Sequence, residues 1–313
     1  MKDYDITIIG AGLTGLTAAR KLQSAGENVL IVDKGRSVGG RLATRRVAEG
    51  KADHGAQFFT VRTSELQQEV EQWLKNGWIK HWFGVDYPRY TAIDGMNGLA
   101  KHLADGLYVR THTTVEKWRE DDGGFTITAE DSSTWRSKKI IITAPVPQAG
   151  ALLQKSGLGT EALERITFQP TCVGIFHFEK PTTLPASGHI DNQLPAGVER
   201  IVDHFKKGIS KDVVVSVYMT ADWSTEHYGD SDVLERMKER TGGYLSFDET
   251  VSEQLKRWRY AQAAATHSRS YEAVTDTVFA AGDAFLRPND PSGRTRFESA
   301  FISGIDVAGA VMS

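Results

Sequence analysis

Three glycines and one carboxylate carry the first chemistry in this chain. Gly10, Gly12 and Gly15 follow the apolar run of Ile6, Ile8 and Ile9 and precede a stretch with Leu16, Ala19 and Leu22 at helical spacing. The first permits a tight turn, the second leaves room for a pyrophosphate against the backbone, and the third lets helix and strand pack closely. The amides that follow, from Leu13 and Thr14, sit at a helix start, where the dipole favours phosphate. A second apolar run, "NVLIV", ends in Asp33, 18 residues after Gly15, followed by Lys34. A carboxylate there accepts hydrogen bonds from ribose hydroxyls. Strand, helix, strand and acid in this order specify dinucleotide binding, where a lone GxGxxG would not.

The stretch "DKGRSVGGRLATRR" refines this reading. Gly39, Gly40 and Arg41 lie six to eight residues beyond Asp33. Paired glycines let backbone approach a ligand, and an arginine reaches a pyrophosphate or the far end of a long dinucleotide. A nicotinamide fingerprint has no use for this addition. Arg45 and Arg46 read as a solvated face.

With these motifs the chain resembles the FAD-dependent amine-oxidase-like superfamily. "ADHGAQFFT" (52–60) is similar to the segment passing the flavin ring, "AIDGMNGLAKHLADGL" (92–107) to a glycine-methionine turn and its helix, and "VFAAGDAF" (278–285) to the last strand. GGRLATRR, ADHGAQFFT and "KRWRYAQ" together resemble the renalase-like branch, which includes bacterial members. The resemblance implies FAD contacts at Gly10, Gly12, Leu13, Thr14, Gly15, Asp33, Lys34, Gly40 and Arg41. It implies others at Gly55, Ala56, Gln57, Phe58, Val115, Gly282, Asp283, Glu298 and Ser299. Ser299, in "RFESAF", stands where many relatives have glycine. The helix from about 297 to 311 carries Ala300, Gly304 and Ala308 on one small face, suited to close approach to a strand or ligand.

The remaining side chains offer little independent chemistry. The nine histidines form no HxH or HExxH pattern, so no metal is expected. There is no nucleophile elbow, and the single cysteine, Cys172, lies in an apolar strand pattern and reads as a buried thiol. No cysteine near the C-terminus is placed for a thioether, so non-covalent FAD is expected. Trp258, Tyr260 and His54 are the candidates for the substrate pocket. Three functions stay open. One is a renalase-like oxidase taking hydride from dihydro-NAD(P) isomers and reoxidised by O2 to give H2O2. The second is an amine oxidase or desaturase acting on another small molecule, and the third a flavin-binding protein without turnover.

The elements that must hold these residues follow an α/β pattern. A Rossmann-type FAD-binding domain, with a parallel sheet and a β-meander from residue 108, is expected at 1–60, 95–148 and 265–313. An antiparallel-sheet substrate domain is expected at 61–94 and 149–264. Trp73, Trp78, Trp82, Phe83 and Tyr87 supply either a lid or ordinary packing. The 313 residues are 40% hydrophobic and 25% charged, with net charge −3. That balance provides no footprint for nucleic acid or an anionic membrane, and no run approaches the ~20 residues of a membrane span. The chain opens on a strand pattern with no apolar leader, so a cytoplasmic monomer or homodimer is expected.

Overall fold

The computed structural model describes residues 2–290 and 292–313. Its larger sheet runs in the order Tyr271–Ala273, Val278–Ala281, Thr134–Ile142, Asp3–Ile9, Val29–Val32, Val109–Arg110. Neighbours are parallel except Tyr271–Ala273, which is antiparallel at the edge. All four residues of Val29–Val32 are buried, as expected of a strand covered on both faces. Alternation sorts its neighbours. Ile6, Ile8, Val29 and Ile31 face a core containing helices Leu13–Ser24, Met96–Ala104 and Phe297–Met312. Ile9, Leu30, Val32, Ile140 and Ile142 face the meander.

The meander is shorter than the sequence suggests. Strands Val115–Asp121 and Gly124–Ala129 pair antiparallel with each other and with the first half of Thr134–Ile142. Residues 109–110 instead continue the parallel ladder beside Ile31 and Val32, and the chain turns at His112, where φ is +54°. The expected boundary at 148/149 falls inside helix Val146–Lys155, whose Val146, Ala149 and Leu153 pack in the meander-side core. Likewise Leu66, Val70, Trp73 and Ile79 bury themselves in the core of the larger sheet.

A second, antiparallel sheet runs His189–Ile190, Val198–Asp203, Val213–Met219, Phe168–Phe178, Thr250–Ala263. Every residue of the central strand Val213–Met219 is buried, and Cys172 sits fully buried in its apolar core. Two hairpins, Thr44–Val47 with Gly50–Asp53 and Ile79–Phe83 with Arg89–Ala92, complete the strands. No helix is long and apolar enough to cross a membrane among the described residues.

The small face of Phe297–Met312 meets a helix. A Cβ on Gly304 would lie 2.6 Å from the Thr14 carbonyl oxygen. The Thr14 hydroxyl donates to the Ala300 carbonyl at 2.9 Å.

Candidate functional site

The glycine-rich turn and the GGR loop form one cradle. Gly39 and Gly12 make a parallel bridge, with the Gly39 amide donating to the Ala11 carbonyl at 2.7 Å. Gly39 has φ +108° and Gly40 φ +52°, and a Cβ on Gly40 would stand 3.5 Å from the Gly12 Cα. A Cβ on Gly12 would meet nothing within 4 Å, whereas one on Gly15 would lie 2.1 Å from the Gly10 carbonyl oxygen. Gly12 thus opens onto free space and Gly15 closes a packing contact. Helix Leu13–Ser24 begins there with no side-chain cap and no acidic residue in its first turn. Open space, uncapped amides and a glycine rim fit a pyrophosphate.

Asp33 braces this cradle. Its carboxylate accepts from the Ala11 amide at 2.7 Å and the Gly35 amide at 2.6 Å. Lys34 points to Gln148 at 3.0 Å, and Val115 packs in the core below. Arg41 and Asp283, 242 residues apart, form a bidentate pair at 2.7 and 2.5 Å. Arg41 also donates to the Ala261 carbonyl at 3.2 Å. Gly282, with φ +155°, donates its amide to Ser303 at 2.8 Å. Ser299 has a use for its hydroxyl that glycine lacks: it accepts from the Arg296 amide at 2.8 Å and donates to the Asp283 carbonyl at 2.9 Å. Glu298 turns toward another segment and accepts from the amides of Arg62 and Thr63, both at 2.8 Å.

The segment 53–58 is anchored by groups that the sequence does not advertise. Asp53, at the end of a hairpin strand, accepts from the Met96 amide at 2.9 Å and from Thr44 at 2.5 Å. Its second oxygen meets the Lys207 ammonium at 2.7 Å, with both side chains fully buried. Lys207 also donates to the Gln57 carbonyl at 2.6 Å and its side-chain oxygen at 3.1 Å. Burial pulls the Lys207 ammonium down, and Asp53 opposes that pull. The Gln57 amide donates to Tyr218 and to the Asp53 carbonyl, while Tyr218 donates to the carbonyls of Asp53 and Gly55 at 2.9 and 3.0 Å. Burial holds the Tyr218 phenol well above its ordinary value. Gly55 is held tightly: a Cβ there would lie 2.0 Å from the Arg41 carbonyl oxygen. The Ala56 amide donates to that same oxygen at 2.9 Å.

His54 and Trp258 stack with ring centroids 5.3 Å apart and planes 23° from parallel. The Trp258 indole donates to the His54 carbonyl at 2.6 Å. Burial, then the charge of Lys256, lowers the His54 imidazole to about 4, so it is neutral at pH 7. Tyr260 stands edge-on to Phe168, 6.0 Å away, and Phe168 lies under Arg41. Phe58 joins Trp82, Phe83 and His189 in an aromatic cluster. Arg89 and Arg200 lie 5.6 and 5.7 Å from the Phe58 ring centre, and Lys207 4.7 Å from that of Trp82. Of the other aromatics in 61–91, Trp73 is core, Trp78 stacks on His102, and Tyr87 is exposed.

The structure gathers most of the predicted residues in two groups, the cradle with Arg41 and Asp283 and the segment 54–58 with Trp258, and turns Lys34, Val115 and Glu298 to other partners. Asp53, Lys207, Tyr218, Arg89 and Arg200 are additions. Comparison with known proteins gives the family and the fold. Residues 8–76 match the NAD(P)-binding Rossmann-like domain, and residues 74–312 match the family described as flavin containing amine oxidoreductase. An L-amino-acid oxidase of Echis ocellatus is 35% identical over 71 residues, 23% of this chain and 14% of that protein. A hydroxyneurosporene desaturase of Rubrivivax gelatinosus is 34% identical over 62 residues, 20% and 12% respectively. The chain thus covers a small part of these relatives' length. A solved putrescine oxidase variant superposes with a TM-score of 0.70 over 99% of both chains at 12% identity, a likeness of fold.

Proposed function

The chain belongs to the flavin containing amine oxidoreductase family, and from that premise we propose an FAD-dependent oxidase of the renalase-like kind, acting on 2- or 6-dihydro isomers of NAD(P). It is a flavin-dependent oxidoreductase by family. The Gly12–Gly40 cradle would hold FAD non-covalently, and the cofactor would there supply two-electron chemistry, with the substrate as hydride donor and O2 as the acceptor that gives H2O2.

The observation that carries the substrate class is the charge around the aromatic rings. A protonated amine is commonly held against aromatic faces by cation–π attraction. Here Arg89 and Arg200 already flank Phe58, and Lys207 already covers Trp82. These faces are already taken by the protein's own cations, Arg200 paired with Glu199 and Lys207 with Asp53, so they offer a substrate ammonium no open cation–π site, whereas a neutral ring needs none. A dihydropyridine suits the site for a second reason: it needs no general base, and neutral His54 stacked on Trp258 offers a flat wall against which to orient a ring. Those side chains position the ring and exclude water.

Anaerobic stopped-flow tests the reading. The separated 2- and 6-dihydro isomers are expected to bleach the flavin quickly and 4-dihydro-NAD(P)H slowly, with Trp258→Ala slowing the fast reaction while flavin content stays the same. Rapid reduction by benzylamine or a polyamine, with none by the isomers, transfers the protein to the amine-oxidase alternative. Reduction by an apolar polyene instead transfers it to the desaturase alternative.

A further inference from the structure

Two cations lie beside the His54–Trp258 stack without an acid partner. Arg45, on the hairpin strand Thr44–Val47, donates through Nε to Gln254 at 3.0 Å. Gln254, Lys256 and Trp258 alternate along Thr250–Ala263 and are half-buried, while Arg257 and Arg259 between and beyond them are exposed. Lys256 is pulled below its ordinary value by burial and by neighbouring positive charge, Arg45 first. Among the described residues, no carboxylate reaches ion-pair distance of Arg45 or Lys256.

Like charges gathered without a counter-charge disfavour the fold in isolation and favour an anion. Nor is the cluster absorbed by the glycine cradle, which has its own amides. We propose that Arg45 and Lys256 form a receptor for the pyrophosphate of a dinucleotide substrate, holding it while the dihydropyridine ring reaches the His54–Trp258 stack. This rests on the substrate class proposed above. Arginine provides paired donors and lysine a compact charge, and together they suit a doubly charged bridging group.

The test uses the flavin-loaded protein, with Arg45→Gln, Lys256→Gln and the double variant. Two substrates are compared under anaerobic conditions: a dihydro isomer of NADH, and the borohydride-reduced N-benzylnicotinamide cation, which carries the same ring and no phosphate. In the double variant, the preference for the dinucleotide, as a ratio of kcat/KM, is expected to fall at least tenfold. The ionic-strength dependence of the dinucleotide reaction is expected to flatten. Calorimetric titration with inorganic pyrophosphate is expected to weaken at least tenfold while flavin content is retained. An unchanged preference, or an equal loss on both substrates, overturns the receptor. Flavin lost from the variants also overturns it, since the cluster then serves the cofactor. If neither dihydropyridine reduces the wild-type flavin, the substrate reading fails, and pyrophosphate binding lost in the double variant still upholds an anion receptor there; binding unchanged by the substitutions overturns it.

Discussion

Asp53 and Lys207 stand 154 residues apart in sequence and 2.7 Å apart in space, both sealed from water. Removing one member of such a pair leaves a buried charge uncompensated. Lys207→Met is therefore expected to cost about 3–5 kcal/mol, read from urea unfolding midpoints. Asp53→Asn is expected to behave similarly, because it also weakens the acceptor for the Met96 amide at a helix start. The double variant is expected to lose clearly less than the sum. Additive losses contradict a coupled pair.

Gly12 and Gly15 separate cofactor binding from folding. Gly12 has ordinary extended backbone, φ −76° and ψ −178°, and open space beyond its α-carbon. Gly12→Val is expected to fold normally and purify without flavin. Gly15→Val places a Cβ 2.1 Å from the Gly10 carbonyl oxygen and is expected to give little soluble protein. Flavin content and thermal unfolding together check both outcomes.

The Arg41–Asp283 pair predicts a ranking. Arg41→Ala removes two charge-assisted bonds and leaves a largely buried carboxylate behind. It is expected to weaken flavin retention by about 1.5–3 kcal/mol, ten- to a hundredfold. Arg45→Ala loses one hydrogen bond to Gln254 and is expected to leave retention within about twofold. Equilibrium dialysis of FAD against each variant checks the order; equal effects refute it.

His54 predicts an acid limit. Its imidazole falls from an ordinary 6.5 to about 4 in the fold, so folding favours the neutral form. That contribution is complete above pH 6.5 and disappears as pH drops toward 4, a loss of about 3 kcal/mol. His54→Gln is expected to flatten the fall of Tm between pH 6.5 and 4.5. A variant with the full wild-type slope assigns the proton uptake elsewhere.

The cradle was legible because its causes are local. Gly10, Gly12, Gly15 and Asp33 sit within one strand-helix-strand unit, where each backbone demand shows in a residue type. Gly39 and Gly40 were legible for the same reason, through positive φ. The pairing of Arg41 with Asp283 was not, since nothing in either neighbourhood specifies a partner 242 residues away. Lys207 lies in "FKKG", which reads as a solvated loop, and only the tertiary fold buries one of its two lysines. Val109 and Arg110 were assigned to the meander because alternation cannot reveal which neighbour a strand will take. The aromatic count in 61–91 likewise could not distinguish the core residue Trp73 from the exposed Tyr87.

The position of Val278–Ala281 shapes biosynthesis. This strand joins the parallel sheet beside Thr134–Ile142, so for the time it takes a ribosome to add well over a hundred residues, the earlier strand presents an open edge. Unpaired edges invite wrong partners, and long-range parallel pairing closes slowly. Overproduction at reduced temperature, or alongside a chaperone that shields nascent chains, is therefore expected to raise the soluble yield.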